Sequence, residues 1–218
     1  MSAYKAILFD LDGTLLDTID DLADAMNAAL AICGLRSHTA LACKHFVGDG
    51  VANFVLRAMP ANRRGESALV ARITDLFRAS YAKGWRSCTK PYEGIPQLLD
   101  ALARRGVAMA VYSNKPDDFT QAMVGELLGR WSFGAVVGQR EGYDPKPDTK
   151  ATLEIAAQMQ LEPAEFVYVG DTGTDMATAV AAGMFPVGAL WGFRDAAELT
   201  AAGAKVLIAQ PAEVLDVL

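Results

Sequence analysis

Short runs rich in apolar and β-branched residues recur along the chain: KAILF at 5–9, VAMAVY at 107–112, FGAVVG at 133–138, FVYVG at 166–170, FPVGALW at 185–191 and KVLIA at 205–209. Each is too short for a helix and is bounded by turn formers or charge, the signature of strands buried on both faces. From residue 94 onward these runs alternate with helical patterns: IPQLLDALARRG, PDDFTQAMVGELLG, PDTKATLEIAAQMQ, TDMATAVAAG, DAAELTAAG and PAEVLDVL. Several of these open on Asp, Thr or Pro and close on Gly, as helices do. Alternating β and α with strands apolar throughout predicts an α/β fold, a Rossmann-like, mostly parallel sheet with helices on both faces.

Between residue 18 and about residue 90 the texture changes. Ile19, Leu22, Ala23, Met26, Leu30 and Cys33 recur at three- and four-residue spacing, an amphipathic helical stripe. TALACKHF, GVANFVLRAM and ESALVARITDLFRASYAKGW continue the pattern, and no convincing strand interrupts it. An insert of about 70 residues is far longer than an ordinary connection. The expected organisation is therefore a core built from 1–16 and 91–218 with an α-helical cap domain over 17–90. The chain would cross between the two near Leu16 to Thr18 and Thr89 to Tyr92, the natural hinges for a closing motion.

The 218 residues are 52% hydrophobic, enough to bury a core, and the formal net charge of −6 argues against binding a nucleic-acid backbone. Arg104-Arg105 precedes Gly106 and reads as cations at a helix C-terminus before its Gly cap. Cys33, Cys43 and Cys88 lack C-x-x-C spacing and read as buried or idle thiols of a cytoplasmic protein. Asp10 and Asp12 interrupt the first apolar stretch before a signal-peptide core can form. The uncharged stretch 176–193, MATAVAAGMFPVGALWGF, contains Gly183 and Pro186 and predicts helix, Gly cap and strand instead of a membrane span.

Chemistry enters at the strand ends. Asp10 and Asp12 are spaced i, i+2 and so share a side of an extended chain, although a lone D-x-D-G reads first as a turn. VAMAVY runs into Ser113-Asn114-Lys115, and FVYVG runs into Asp171 with Asp175 four residues on. In a parallel sheet the C-terminal edge is where ligands bind, so three segments deliver polar groups to one edge. Four converging carboxylates repel, each pair at about 4 Å by roughly 4 kcal/mol at an effective dielectric near 20, so a cation is required. Oxygen donors with no histidine after His45 indicate a hard ion, for which Mg²⁺ fits best. Lys146, stiffened between two prolines, reads equally as a solvated surface lysine or as a phosphate-binding point charge. P-loop and dinucleotide fingerprints are absent, and neither His38 nor His45 lies near a strand end. The remaining set of carboxylates, lysine and hydroxyl suits phosphoryl transfer.

FDLDGTLLDT at 9–18, YSN at 112–114, KP at 146–147 and GDTGTDM at 170–176 resemble, in order, the four motifs of the haloacid dehalogenase superfamily, and the helical insert resembles that family's cap. The resemblance implies that Asp10 is the nucleophile that becomes an aspartyl-phosphate. It makes Asp12 the acid that protonates the leaving oxygen and then the base that activates water. Ser113 and Lys146 would hold the transferring oxygens, and Thr14 and Asn114 would join them through backbone amides or by orienting neighbours. Asp10, the Asp12 carbonyl and Asp171 would bind Mg²⁺, with Asp175 in support. The second acid, Asp12, is present in the family's phosphatases and phosphomutases and lacking in its dehalogenases.

Substrate choice is expected to lie in the cap, where Gly48-Asp49-Gly50 reads as a turn before a helix and also resembles the cap loop of phosphoglycolate phosphatases. Lys44, Arg57, Lys83 and Arg78 are the basic residues there that could meet a substrate carboxylate. The implied activity is hydrolysis of a small phosphorylated metabolite, 2-phosphoglycolate first, by a monomer or homodimer without nucleic-acid or membrane partners. A pyrophosphatase, a sugar phosphomutase and a non-catalytic binding protein on the same fold are the alternatives.

Overall fold

The apolar runs pair as a six-stranded parallel sheet in the computed structural model, which describes residues 4–218. β1 (Ala6–Phe9) lies in the middle, and two short strands, β2 (Leu16–Asp17) and β3 (Lys90–Pro91), pair separately where the chain leaves and re-enters the α/β unit. β4 (Ala108–Pro116), β5 (Ala135–Gln139), β6 (Phe166–Gly170), β7 (Phe185–Ala189) and β8 (Val206–Ile208) complete the sheet in the order β5-β4-β1-β6-β7-β8. β1 is in register with both neighbours, Ala6 opposite Ala108 and Phe166, and Phe9 opposite Val111 and Val169. All four of its residues are fully buried, which is why the run is continuously apolar. The chain winds outward from β1 through β4 to β5, then returns to the other side for β6, β7 and β8. The topological switch therefore sits beyond the C-terminal end of β1.

Two contact-defined units divide the chain. One comprises the residues up to Leu16 together with Pro91–Leu218, and the other is Asp17–Lys90. The second contains α1 (Ile19–Ile32), α2 (Ala40–Lys44), α3 (Gly50–Ala58) and α4 (Ser67–Gly84), and the first contains α5 (Ile95–Arg105), α6 (Asp117–Leu127), α7 (Lys150–Gln158), α8 (Gly173–Ala182), α9 (Ala196–Ala201) and α10 (Val214–Val217). Ile95, Leu98, Leu99 and Leu102 are the buried stripe of α5, at spacings of three and four residues. Arg104 and Arg105 fall in its last turn, and Gly106 ends it at φ 68°, with the Gly106 and Val107 amides donating to the Ala103 and Leu102 carbonyls. Ala6, Leu8, Tyr112 and Tyr168 pack on one face of the sheet against Ala151 and Ile155 of α7 and Ala179 and Ala182 of α8.

Differences from the sequence reading are the pair β2 and β3, which it did not predict, and shifts at element ends, one of which has a consequence. β4 continues past Tyr112 through Ser113, Asn114 and Lys115 to Pro116, with a register irregularity against β5 between Tyr112 and Pro116. Backbone pairing thus outlasts the apolar run, and three polar side chains stand on the strand itself. The uncharged stretch 176–193 becomes most of α8, the left-handed Gly183 and β7, and no helix among the described residues is long and apolar enough to cross a membrane. Cys33, Cys43 and Cys88 are free thiols, the first half-buried, the second buried and the third exposed.

The second unit consists of α1 (Ile19–Ile32), α2 (Ala40–Lys44), α3 (Gly50–Ala58) and α4 (Ser67–Gly84). Its core joins Leu22, Met26, Ala29 and Leu30 of α1 with Phe54 of α3 and Ile73, Phe77 and Tyr81 of α4. Phe54 meets Phe77 edge-on at 5.4 Å, and Phe77 stacks on Tyr81 at 5.7 Å. Asp21 is the unit's buried acid. Its carboxylate accepts from the Cys88 amide at 3.0 Å, the Thr89 amide at 2.8 Å and the Thr89 hydroxyl at 2.7 Å, tying the end of the unit to its first helix. Asp21→Ala leaves these donors without their acceptor and is expected to cost about 3 kcal/mol. A lower urea midpoint at unchanged m checks this, whereas an unchanged midpoint means the tie carries no stability.

Candidate active site

Four segments meet at the C-terminal edge of the sheet, around the end of β1. Asp10 directly follows β1, and its amide donates to Val169 O at 2.9 Å, so the strand geometry holds the acid in place. The next residues form a tight turn with Gly13 at φ 88° and the Gly13 amide on Leu16 O at 2.9 Å. A Cβ at Gly13 would collide with the Asp171 carboxylate, and so would one at Gly192. The Asp12-Gly13 turn is therefore a turn and part of the site together, because only glycine lets the backbone approach Asp171 so closely.

Asp171 follows β6 and is fully buried. Thr14 Oγ1 donates to its Oδ1 at 2.8 Å and the Phe193 amide to its Oδ2 at 2.8 Å. Burial, reinforced by the negative charges of Asp10 and Asp175, still pushes its pKa well above the usual carboxylate range. Asp175 lies in the first turn of α8 in a capping box: its Oδ2 accepts from Thr172 Oγ1 at 2.6 Å and from the Thr172 amide at 3.1 Å. One carboxylate oxygen from each of Asp10, Asp171 and Asp175 can be chosen so that all three lie within 4.8 Å of one another.

Lys146 enters this cluster from the loop after β5. It is 4% exposed, which disposes of the surface-lysine reading. Its Nζ contacts Asp10 Oδ1 at 2.7 Å, Asp175 Oδ1 at 2.6 Å and Tyr112 O at 3.1 Å. Burial would lower the ammonium pKa, but Asp10 and Asp175 more than reverse this and hold it well above the ordinary value. Asp10 itself is raised from 3.8 to about 7, chiefly by burial, with Lys146 pulling it down and Asp175 pushing it up. Asn114 fixes the loop: its Oδ1 accepts from the Lys146 amide at 2.8 Å, and its Nδ2 donates to Lys146 O at 3.4 Å. The side chains of Asn114 and Thr14, expected among the phosphate-binding residues, are thus engaged in orienting Lys146 and Asp171. Ser113 is buried, and its Oγ accepts from the Lys115 amide at 3.3 Å.

The Asp12 carboxylate stands apart from the three-acid cluster and is held by Lys115, whose Nζ lies 3.1 and 3.0 Å from its two oxygens. Sequence reasoning assigned Lys115 no role. The available signal was its i+2 spacing from Ser113, visible only if the strand is carried beyond its apolar run. Tyr112 and Tyr168, whose rings lie 5.2 and 5.9 Å from Lys146 Nζ, were likewise missed as the wall behind the ammonium. Gly48, Asp49 and Gly50 belong to the helical unit. There Asp49 precedes α3, pairs with Arg57 and accepts from Asn53 Nδ2 at 3.0 Å through its carbonyl. Gly48 and Gly50 adopt φ of 124° and 83°, as the turn reading requires.

Ionised, the three clustered carboxylates and Lys146 carry a net charge of −2 in a buried space, and every donor is oxygen. A hard divalent cation fits that charge and donor set, which the clustered oxygens of Asp10, Asp171 and Asp175 would supply.

A sequence profile described as haloacid dehalogenase-like hydrolase matches residues 7–189. A phosphoglycolate phosphatase of Chromobacterium violaceum is 32% identical over 216 residues, covering 98% of this chain and 96% of the relative. One from Pseudomonas syringae pv. tomato is 33% identical over 216 residues, 97% of this chain and 76% of the relative. A crystal structure from Lactobacillus delbrueckii subsp. bulgaricus, itself named only as a candidate phosphoglycolate phosphatase, is similar with a TM-score of 0.91 and 32% identity, covering 100% of this chain and 99% of that one.

Proposed function

This chain belongs to the haloacid dehalogenase-like hydrolases, and on that premise we propose that it is a Mg²⁺-dependent phosphatase of small phosphomonoesters, with 2-phosphoglycolate as its foremost substrate. The observation that carries the reading is the buried Lys146 ammonium bridging Asp10 and Asp175, with a second acid, Asp12, two residues along the chain. Asp10 attacks the phosphorus, and the bond from phosphorus to the leaving oxygen breaks as the Asp10 oxygen bonds to phosphorus. Asp12 donates a proton to that oxygen, and in the second step takes one from the water that attacks the phosphoaspartate, restoring Asp10 and releasing phosphate. Ser113 and Lys146 hold the transferring oxygens, where a fixed ammonium in a buried site stabilises charge more than water does. Mg²⁺, when bound, neutralises the clustered carboxylates and polarises the phosphoryl group.

A panel of 2-phosphoglycolate, pyrophosphate, hexose phosphates and p-nitrophenyl phosphate, each with Mg²⁺, tests the proposal. Highest kcat/KM for 2-phosphoglycolate is expected. Isomerised sugar phosphate in phosphorus NMR points to a mutase, dominant pyrophosphate cleavage points to a pyrophosphatase, and no turnover of any member supports a non-catalytic protein.

The acid cluster also predicts a pH dependence. A folded-state pKa of about 7 for Asp10 against 3.8 unfolded means the folded state binds the extra proton between those values. The stability this proton contributes is present in full below 3.8 and is lost as pH rises through about 7. Mg²⁺ competes with that proton, so it should raise Tm more at pH 8 than at pH 6. Thermal melts with and without MgCl₂ at the two pH values read this directly. An equal shift at both would mean that Asp10 is not a ligand.

A further inference from the structure

The Asp171 carboxylate lies between two stretches of backbone. Gly13 approaches it from the turn after β1 and Gly192 from the segment after β7, each so closely that a Cβ would strike the acid. Each stretch also supplies one donor. Thr14 Oγ1 reaches Oδ1 at 2.8 Å, and the Phe193 amide reaches Oδ2 at 2.8 Å. A carboxylate has about four lone-pair directions, so any tilt of the group changes what its oxygens present to a cation. The spacing of the two stretches therefore sets the aim of Asp171.

That spacing is a tertiary matter. Residues 191–194 follow β7 and precede α9 in neither strand nor helix, and the Leu190 amide, on Ile208 O at 2.9 Å, extends the sheet pairing just before them. One side chain then spans the gap: Trp191 Nε1 donates to Thr14 O at 3.0 Å, across 177 positions of sequence. Three hydrogen bonds thus form a ring. Trp191 holds the Thr14 carbonyl, the Thr14 hydroxyl holds one oxygen of Asp171, and the other oxygen accepts from the amide of Phe193, two residues from the start. An aromatic ring of similar shape could pack there without a polar tip, but only the indole N–H closes the ring.

We propose that Trp191 is a positioning residue for the metal site, whose indole N–H ties the two flanking stretches together and so holds the Asp171 oxygens in the orientation that Mg²⁺ needs. The proposal rests on the reading of Asp171 as a Mg²⁺ ligand. Mg²⁺ accepts little departure from octahedral geometry, so its affinity is sensitive to how rigidly a ligand is aimed. Loss of a group that orients a ligand typically costs 10–100-fold in metal affinity. Trp191 acts through Thr14, one bond further out, which places it at the low end. Linkage makes the effect reciprocal: if the bond favours Mg²⁺, then Mg²⁺ favours the bond by the same factor.

Calorimetry at pH 8 compares the Kd for Mg²⁺ of the wild-type protein and of Trp191→Phe, which keeps an aromatic ring and removes the N–H. A rise of about 10-fold is expected, and an unchanged Kd overturns the proposal. Solvent-exchange NMR of the wild-type protein reads the reciprocal effect and carries the test if Trp191→Phe does not fold. The control is Trp131, in the same unit, whose indole donates to Asp100 Oδ1 at 2.8 Å. Saturating Mg²⁺ should slow exchange of the Trp191 indole proton about 10-fold and leave that of Trp131 unchanged. No slowing at Trp191, or equal slowing at both as general stabilisation would give, overturns the proposal. Wild-type protein that binds no Mg²⁺ overturns it together with the metal-dependent reading. Mg²⁺ binding that depends on Trp191, in a protein that hydrolyses no phosphomonoester, supports it and sinks the phosphatase reading alone.

Discussion

Asp10→Asn is expected to lower kcat for phosphomonoesters by at least about 10⁴-fold, because an amide cannot form the phosphoaspartate and no second nucleophile can substitute for a member of a unit that acts together. The protein should still fold. Lys146 keeps Asp175 and the Tyr112 carbonyl as partners, and removing one of three clustered acids relieves repulsion among the others. Stopped-time assays with p-nitrophenyl phosphate, together with mass spectrometry of the quenched protein, measure both halves of the expectation: no turnover and no covalent phosphate. The share of the pH dependence assigned to Asp10 should disappear with it, so the stability of the metal-free variant falls less as pH rises through about 7 than that of the wild type, leaving the contribution of Asp171. Retention of more than about one hundredth of wild-type turnover would show that Asp10 is not the nucleophile.

Lys146→Met is expected to damage stability and turnover together, unlike Asp10→Asn. Without the ammonium, Asp10, Asp171 and Asp175 face one another in a buried space with no compensating side chain. Breaking a buried charge pair from one side costs about 3–5 kcal/mol. The cluster would respond by holding protons more tightly, so carboxylate pKa values already raised by burial move further up. Such groups lose stability as pH rises, and the variant should therefore be weakest relative to wild type in alkaline solution. Turnover should drop by about 10³-fold, the usual loss for one preorganised donor to a developing oxyanion. Mg²⁺ should recover much of the stability and little of the rate, because it can offset the carboxylates while leaving the phosphoryl oxygens without their fixed ammonium. Urea unfolding at pH 6 and pH 8 and parallel kinetics, each with and without MgCl₂, separate the two effects. A variant as stable as wild type at pH 8 would mean the carboxylates are not ionised together in the native protein.

Asn114 and Lys115 show what local reading could and could not reach. Both were visible as polar residues following an apolar run, and their neighbourhood was recognised as a strand end. The apolar run stops at Tyr112 whereas β4 runs to Pro116, so the side each residue faces was hidden. Asn114 therefore entered the sequence reading among the phosphate-binding residues with its part left between a backbone amide and the orienting of neighbours, and its side chain holds the Lys146 backbone 32 positions away. In the helical unit, the Asp49–Arg57 pair was equally out of view, because a turn flanked by glycines gives no sign of which cation it will meet.

Strand and helix periodicity, turn glycines and the order of the polar strand ends were written locally, so the sequence by itself determined the parallel α/β core, the helical insert and the edge where Asp10 and Asp171 would emerge. FVYVG became β6 residue for residue, because a five-residue run buried on both faces has no other environment to occupy. The pairing of charges was decided only in the tertiary structure. Lys146 lies 136 residues from Asp10, and Lys115 lies 103 from Asp12. Which acid each lysine meets depends on long-range register. Whether the meeting matters depends on desolvation. Neither is encoded in spacing along the chain, and the difference between a surface lysine and a buried one appears only when the sheet closes around it.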